Sequence, residues 1–313
     1  MSSASAPRRT TLLRRLALGL LCTLTVLYLL VGAYTATTMT WPKRRFKPEF
    51  NPGRHGMTYQ EIRLPARGGD ADLAAWWIPA ASSPAPSADP GRAVVLVHGK
   101  DSNRSRFIEH SAPIVIELHS RGLNLLMIDL RGHGQSSTSR MSFGIREQRD
   151  VLGAVDWLRA RGFAPGRIGV LGQSMGGASI LLATAAEPAI AAAVSDCAYA
   201  DIAPIVGRRF HEVTGLPNWF VPATRIALYL IDGVDLLQAK PLAAVPRIAP
   251  RPLLIIHGMA DATIPVGHAA DLRLAVPSAE LWVIDGSGHV QGVSTDTAAY
   301  QQHVGDFFQK HLP

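Results

Sequence analysis

The chain has 313 residues, 47% of them hydrophobic and 18% charged, with a formal net charge of +7. Once an atypical first stretch is set aside, roughly 250 residues remain, enough for one large domain that buries its own core without disulfides or metals. The charge is not that of a nucleic-acid binder, because it sits at one end. Up to Arg54 there are nine basic residues (Arg8, Arg9, Arg14, Arg15, Lys43, Arg44, Arg45, Lys47 and Arg54) against the single acid Glu49, which gives this stretch +8 and leaves about −1 for the rest.

The segment 1–15 is the first basic cluster. From Leu16 to Ala36 follow 21 residues without a charge. As a helix rising about 1.5 Å per residue they span roughly 30 Å, the thickness of a bilayer core. Tyr34 and Trp41 suit the interfacial belt. A cleaved signal peptide has the same basic and apolar regions, but Ala33 and Ala36 lack the small-x-small spacing of a cleavage site. The segment 16–36 is therefore expected to remain as a transmembrane anchor, which makes the membrane a partner. Leu20 and Leu21 do not form a lipobox before Cys22. Basic residues flank both ends, so the positive-inside count is nearly tied; the export-signal character of the first cluster places the catalytic domain on the extracytoplasmic side. Residues 37–57, rich in proline and basic residues, are expected as a juxtamembrane linker.

Residues 58–313 have the pattern of one α/β domain. Tyr59–Leu64 and Leu73–Ile78 suggest an edge hairpin, followed by a Pro/Ser/Ala loop from Pro79 to Gly91. The nearly continuous apolar runs 93–99, 123–129, 167–172, 190–195, 252–257 and 279–284 predict strands buried on both faces, as in a parallel sheet. Between them Arg106–Ser120, Arg146–Arg161, Ser174–Ala186 and Ala298–His311 carry apolar residues at helical spacing. The alternation predicts a mostly parallel twisted sheet with helices on both faces and right-handed crossovers. The stretch from about 200 to 250 is too long for a connection and is expected as a small helical lid. Its residues Phe210, Leu216, Trp219, Phe220, Tyr229 and Leu230 suit either an apolar acyl site or packing of the lid onto the body. Cys22 and Cys197 are too far apart for an expected disulfide, and no metal-type spacing occurs.

The chemistry centres on Gly172-Gln173-Ser174-Met175-Gly176, which closes a buried strand and opens a helix. A serine on that sharp turn is strained, and residues two before and two after it must be small. The turn leaves the Met175 amide at a helix N-terminus, where it can bind an oxyanion. A second donor is expected from the loop His98-Gly99-Lys100-Asp101, as the Lys100 backbone amide. Serine needs a histidine base oriented by a carboxylate. Asp261, after the strand ending in His257, and His289, after the strand ending in Ile284, have the required order and sheet edge. Asp196 is the main rival acid, and Asp285 reads as a turn former. His98 and His257 read as structural, and His268, His303 and His311 as solvated.

Gly172–Gly176, the strand end His98-Gly99, the segment Asp129–Ser136, His257–Asp261 and Gly286–His289 resemble the landmarks of the α/β-hydrolase superfamily, in its order, from about Ala93 to the C-terminus. The chain is similar to the prolyl-oligopeptidase-like and lysophospholipase-like branches, some of whose members carry a membrane anchor. No propeller domain precedes the hydrolase region, and the elbow carries serine rather than the aspartate of the dehalogenase branch. The resemblance implies an α/β-hydrolase fold and a structural role for Asp129–Ser136. The expected activity is hydrolysis of a carboxylic ester through an acyl-enzyme on Ser174, without metal or organic cofactor. Peptide hydrolysis, acyl transfer and a non-catalytic binding role on the same scaffold are the alternatives.

Overall fold

The continuous apolar runs become the strands of one sheet in the computed structural model, which describes residues 6–80 and 91–313, residues 6–9 by their backbone only. The strands are β1 (Gln60–Pro65), β2 (Asp72–Ile78), β3 (Ala93–Val97), β4 (Asn124–Ile128), β5 (Ile168–Gln173), β6 (Ile190–Asp196), β7 (Leu253–Gly258) and β8 (Glu280–Ile284). Their order is β1-β2-β4-β3-β5-β6-β7-β8. β2 runs antiparallel to both neighbours and every other pairing is parallel. Parallel central strands covered on both faces need no polar alternation, which is why all five residues of β3 and of β4 are buried.

The helices are α1 (Ala6–Thr40), α2 (Arg104–Ser120), α3 (Glu147–Arg159), α4 (Met175–Ala186), α5 (Ala203–Thr214), α6 (Val221–Asp232), the short α7 (Pro241–Ala244), α8 (Gly267–Ala275), the short α9 (Gly292–Thr295) and α10 (Thr297–His311). α2 and α10 pack together, and α3 packs on α4. A continuous core of Val94, Leu96, Ile114, Leu118, Leu125, Leu254, Val304 and Phe308 joins the sheet to α2 and α10. The expected loop from Pro79 to Gly91 falls, at residues 81–90, outside the described residues.

The chain divides into two units. One comprises Met1–Thr40 with Val206–Leu236, and the other Trp41–Ile205 with Leu237–Pro313. In the first, the stretch Thr10–Thr40 has mean hydropathy 2.3 over its most apolar window and is long and apolar enough to cross a membrane. A signal sequence shares that length and composition. The helix runs on past the expected anchor 16–36 to Thr40, and the Thr37, Thr38 and Thr40 hydroxyls bond back to the carbonyls of Ala33, Tyr34 and Ala36. Pro42 then disfavours helix at Trp41.

The second unit begins with most of the stretch expected as a juxtamembrane linker. Residues 41–57 are fastened to the hydrolase body: Lys43 N donates to Asp101 Oδ1 (2.9 Å), Asn103 Nδ2 to Arg45 O (2.6 Å) and Lys47 Nζ to Glu109 Oε1 (2.7 Å). The Phe46 ring lies 4.6 Å from the Arg104 guanidinium. Polar side chains of distant segments supply these partners, so no local pattern announces them.

The Asp129–Ser136 segment holds the β4 end by ionic contacts. Asp129, fully buried, accepts from the Arg104 side chain and from the amides of Arg104 and Gln135. Arg131 forks onto Asp150 through Nε (2.9 Å) and Nη2 (2.7 Å), with both side chains buried. Arg131 also pairs with the partly exposed Asp70 at 2.9 Å, so losing Asp150 removes its fully buried counter-charge. Asp150→Ala is expected to lower unfolding free energy by about 3–5 kcal/mol, read as a drop in melting temperature. Asp70→Ala, which removes a partner 35% exposed, is expected to cost no more than about 1 kcal/mol.

Candidate active site

The loops that follow the parallel strands meet at the carboxyl edge of the sheet, where open α/β sheets place their sites. Ser174 follows β5 with φ 55° and ψ −120°. Its amide is tied to Asp196 O at 2.8 Å, which pins the turn to the neighbouring strand β6. The glycines around it are required by contact. A Cβ on Gly172 would lie 2.4 Å from Gly176 O, and one on Gly176 would lie 2.4 Å from His98 O. The helix α4 then begins at Met175, directly after the serine.

The three sequence-selected side chains form one hydrogen-bonded chain. His289 Nε2 is 2.9 Å from Ser174 Oγ, and His289 Nδ1 is 2.7 Å from Asp261 Oδ2. Asp261 Oδ1 accepts from the amides of Thr263 and Ile264, both at 2.8 Å. Burial alone would push the Asp261 carboxyl up. The hydrogen bonds from His289 and from the Ile264 and Thr263 amides outweigh it and hold this carboxyl below its usual range. An ionised Asp261 fixes the proton of neutral His289 on Nδ1, leaving Nε2 as the lone pair that faces the serine.

Asp196, the rival acid, is placed differently. Its Oδ2 accepts from Tyr300 Oη at 3.0 Å, and burial pushes its carboxyl up towards the neutral form. Asp196→Asn is therefore expected to leave kcat within about tenfold, where a triad's orienting acid is worth about 10⁴. Steady-state kinetics of the variant check this. Asp285 is exposed and caps its own turn through the Gly286 amide at 3.0 Å.

The Lys100 and Met175 amides stand on the two loops that flank Ser174, and among the described residues neither has a hydrogen-bond acceptor. A Cβ on Gly99 would lie 3.1 Å from Ser174 Cβ, so the Lys100 loop runs directly beside the serine. Two histidines shape that loop, and sequence alone had placed only one of them in a supporting role. His98 Nδ1 donates to Gly99 O (2.7 Å) while its Nε2 accepts from Leu130 N (3.0 Å). His133 Nε2 accepts from Asp101 N at 3.3 Å. Burial drives the first well below the ordinary histidine value and also lowers the second, so both stay neutral and keep these acceptor roles at neutral pH. The Lys100 side chain pairs with Asp101 at 2.7 Å.

Backbone strain marks the same edge. Asp101 (φ 55°), Ser174 (φ 55°), Cys197 (φ 52°) and Val290 (φ 56°) all have positive φ, and a β-branched residue in that region is an outlier. Such strain persists where the surroundings over-determine it, as they do at functional sites. Cys197 accepts from the Val290 amide at 3.3 Å, and burial pushes its thiol far up. Ligand atoms of Cys197, His257 and Asp261 lie within 4.8 Å of one another. The protonated thiol, the His257 Nε2 bond to Ile264 O at 2.8 Å and the Asp261 bond to His289 leave this trio poorly suited to a metal.

Residues 110–313 match the prolyl oligopeptidase family. The chain belongs to the prolyl oligopeptidase family. It is accordingly a serine hydrolase of the α/β-hydrolase fold. Among its relatives, protein YfhR of Salmonella typhi is 30% identical over 267 residues, covering 81% of this chain and 82% of that protein. Protein YqkD of Bacillus subtilis is 28% identical over 224 residues, 70% and 72% of the two chains. Among solved structures, the Pyrococcus furiosus esterase Pf2001 superposes with a TM-score of 0.68 at 23% identity, covering 87% of this chain and 99% of the esterase. A puromycin-hydrolyzing peptidase of Mycobacterium tuberculosis gives 0.59 at 19% identity, covering 82% of this chain and 39% of the peptidase. At these identities the superpositions establish the fold. The family match begins at His110, within α2, and so includes the elbow, Asp261 and His289.

Proposed function

We propose that this family member is a membrane-anchored carboxylic esterase with Ser174 as nucleophile, His289 as general base and acid, and Asp261 as the orienting carboxylate. The observation that carries the proposal is the unbroken chain Ser174 Oγ–His289–Asp261 on a strained strand-to-helix turn. Ser174 Oγ attacks the ester carbonyl while His289 Nε2 takes its proton. The carbonyl oxygen becomes an oxyanion between the amides of Lys100 and Met175. The carbon–alkoxide bond then breaks, and His289 returns the proton to the departing alcohol. Water adds to the acyl-enzyme with the same histidine as base, and the acid leaves with Ser174 restored. The near-complete coverage of an esterase supports ester over peptide as the scissile bond. Lysophospholipid-like esters are the finer expectation.

For α1 we favour an uncleaved anchor over a signal peptide, with the catalytic domain on the extracytoplasmic face. Tyr28, Gly32 and Thr35 are engaged in packing with a later part of the chain, and removal of α1 would strip that surface bare. Turnover of p-nitrophenyl esters, lysophospholipids and aminoacyl amides by the full chain in detergent tests the substrate class. Ester turnover exceeding amide turnover supports the proposal, and amide turnover exceeding ester turnover overturns it in favour of a peptidase.

A further inference from the structure

The unit formed by Met1–Thr40 and Val206–Leu236 holds a second apolar surface besides α1 itself. α6 packs along the C-terminal part of α1 through small residues. A Cβ on Gly32 would lie 2.5 Å from the carbonyl carbon and oxygen of Ala223. One turn on, the Thr35 and Thr224 hydroxyls are 2.6 Å apart and buried. Ala36, Ala223 and Ala227 are buried as well. Small residues at the closest approach and a hydroxyl pair across the helices are how helices associate in lipid, where apolar surface provides no net drive. The Tyr28 ring stacks on Trp219 at 5.7 Å and on Phe220 at 5.3 Å, and its hydroxyl donates to Trp219 O at 2.7 Å.

The side of α6 turned away from α1 is apolar and uncovered. Pro222, Ile226, Tyr229 and Leu230 follow one another at spacings of four, three and one, which places them on one stripe of the helix, and Trp219, on the turn before it, is exposed beside its stack with Tyr28. Trp219 is 61% exposed, Tyr229 62% and Leu230 75%. The charge beside them, Arg225, is paired with Asp235 at 2.7 Å. On α1, Leu20, Leu24, Leu27 and Leu30 are similarly exposed. Tyr28 lies eight residues before Ala36, so at 1.5 Å per residue the aromatic stack sits about 12 Å inside the C-terminal end of the expected anchor 16–36.

We infer that residues 219–230 are a second membrane-seated element, lying in the lipid beside α1 with the stripe from Pro222 to Leu230 against acyl chains. The occupant of this stripe is a lipid bilayer, because the element is bonded to α1 at a depth that the bilayer itself occupies. The inference rests on the proposal that α1 spans the membrane.

The test uses the full chain in phosphatidylcholine–phosphatidylglycerol vesicles. With Cys22→Ser in place and Cys197 buried, nitroxide labels are attached to Leu24→Cys on α1 and, in a separate variant, Leu230→Cys on α6. Both positions are exposed, and fluorophosphonate labelling of Ser174 checks that each variant is folded. Power saturation then compares relaxation by oxygen, which partitions into lipid, with relaxation by a water-soluble nickel chelate. The expected result is loss of nickel relaxation and strong oxygen relaxation at both labels. A lipid-exposed label at 24 with a nickel-accessible label at 230 overturns this inference and leaves the anchor standing. A nickel-accessible label at 24 removes the anchor, and the inference falls with it. Shielding of position 230 from both reagents, with spin–spin broadening between copies, also overturns it, since a second chain then covers the stripe.

Discussion

Ser174→Ala is expected to abolish fluorophosphonate labelling and to lower kcat by about 10⁶-fold, the effect of removing a nucleophile whose triad acts as a unit. The same substitution should leave the fold in place. Among the described residues the Ser174 hydroxyl bonds only to His289, while the Ser174 amide, which alanine retains, holds Asp196 O at 2.8 Å. A second variant separates chemistry from strain. Ser174 is held at φ 55°, where a side chain costs about 1 kcal/mol that glycine does not incur. Ser174→Gly should be as inactive as Ser174→Ala yet melt higher by about 2 °C. If Ser174→Ala retains turnover, a different nucleophile operates and the proposed mechanism fails. If the two variants melt alike, the turn is not strained in the way its dihedral angles indicate.

The core strands were legible because parallel strands buried on both faces are apolar at consecutive positions, a pattern that the run from Ala93 to Val97 shows without interruption. The elbow was legible because its steric demand falls on residues close in sequence: Gly172 and Gly176 must be small wherever Ser174 makes this turn. Asp261 and His289 could be selected because strand ends recur in a fixed order along the sheet. Features set by pairing between remote segments were not legible. Nothing near Thr35 announces Thr224, 189 residues away. The segment 41–57 looked like a linker because its proline and basic residues are those of a loop. Its order comes from Asp101, Asn103 and Glu109, partners that only the folded chain brings near. His133 escaped notice as a support of the Lys100 loop for the same reason: its acceptor nitrogen meets the Asp101 amide across 32 residues. The positive φ of Val290 has no local signature either, since a β-branched residue ordinarily argues against it.

Asp261→Asn should lower kcat by about 10⁴-fold while leaving KM nearly unchanged. An asparagine can keep its oxygen on the amides of Thr263 and Ile264, which Asp261 Oδ1 now accepts at 2.8 Å. Its amide nitrogen then faces His289 Nδ1 and donates to it. The imidazole must carry its proton on Nε2, pointing at Ser174, so no lone pair is left to accept the serine proton. Geometry survives and the base is lost. Asp261→Ala differs in kind, because it also takes the acceptor from the buried Ile264 amide and should destabilise the loop by about 1–3 kcal/mol in addition. The pH dependence of stability gives an independent check. The folded pKa of Asp261 lies below its ordinary value, so ionisation stabilises the native chain fully above the unfolded carboxylate pKa of about 3.9. That contribution is lost as pH falls through the lower folded value. The stability gap between the wild-type chain and Asp261→Asn should therefore be full at neutral pH and narrow under acid, measured by thermal unfolding across that range. A gap that widened on acidification would mean that Asp261 is protonated in the native protein, and an uncharged Asp261 could not orient His289 in the proposed way.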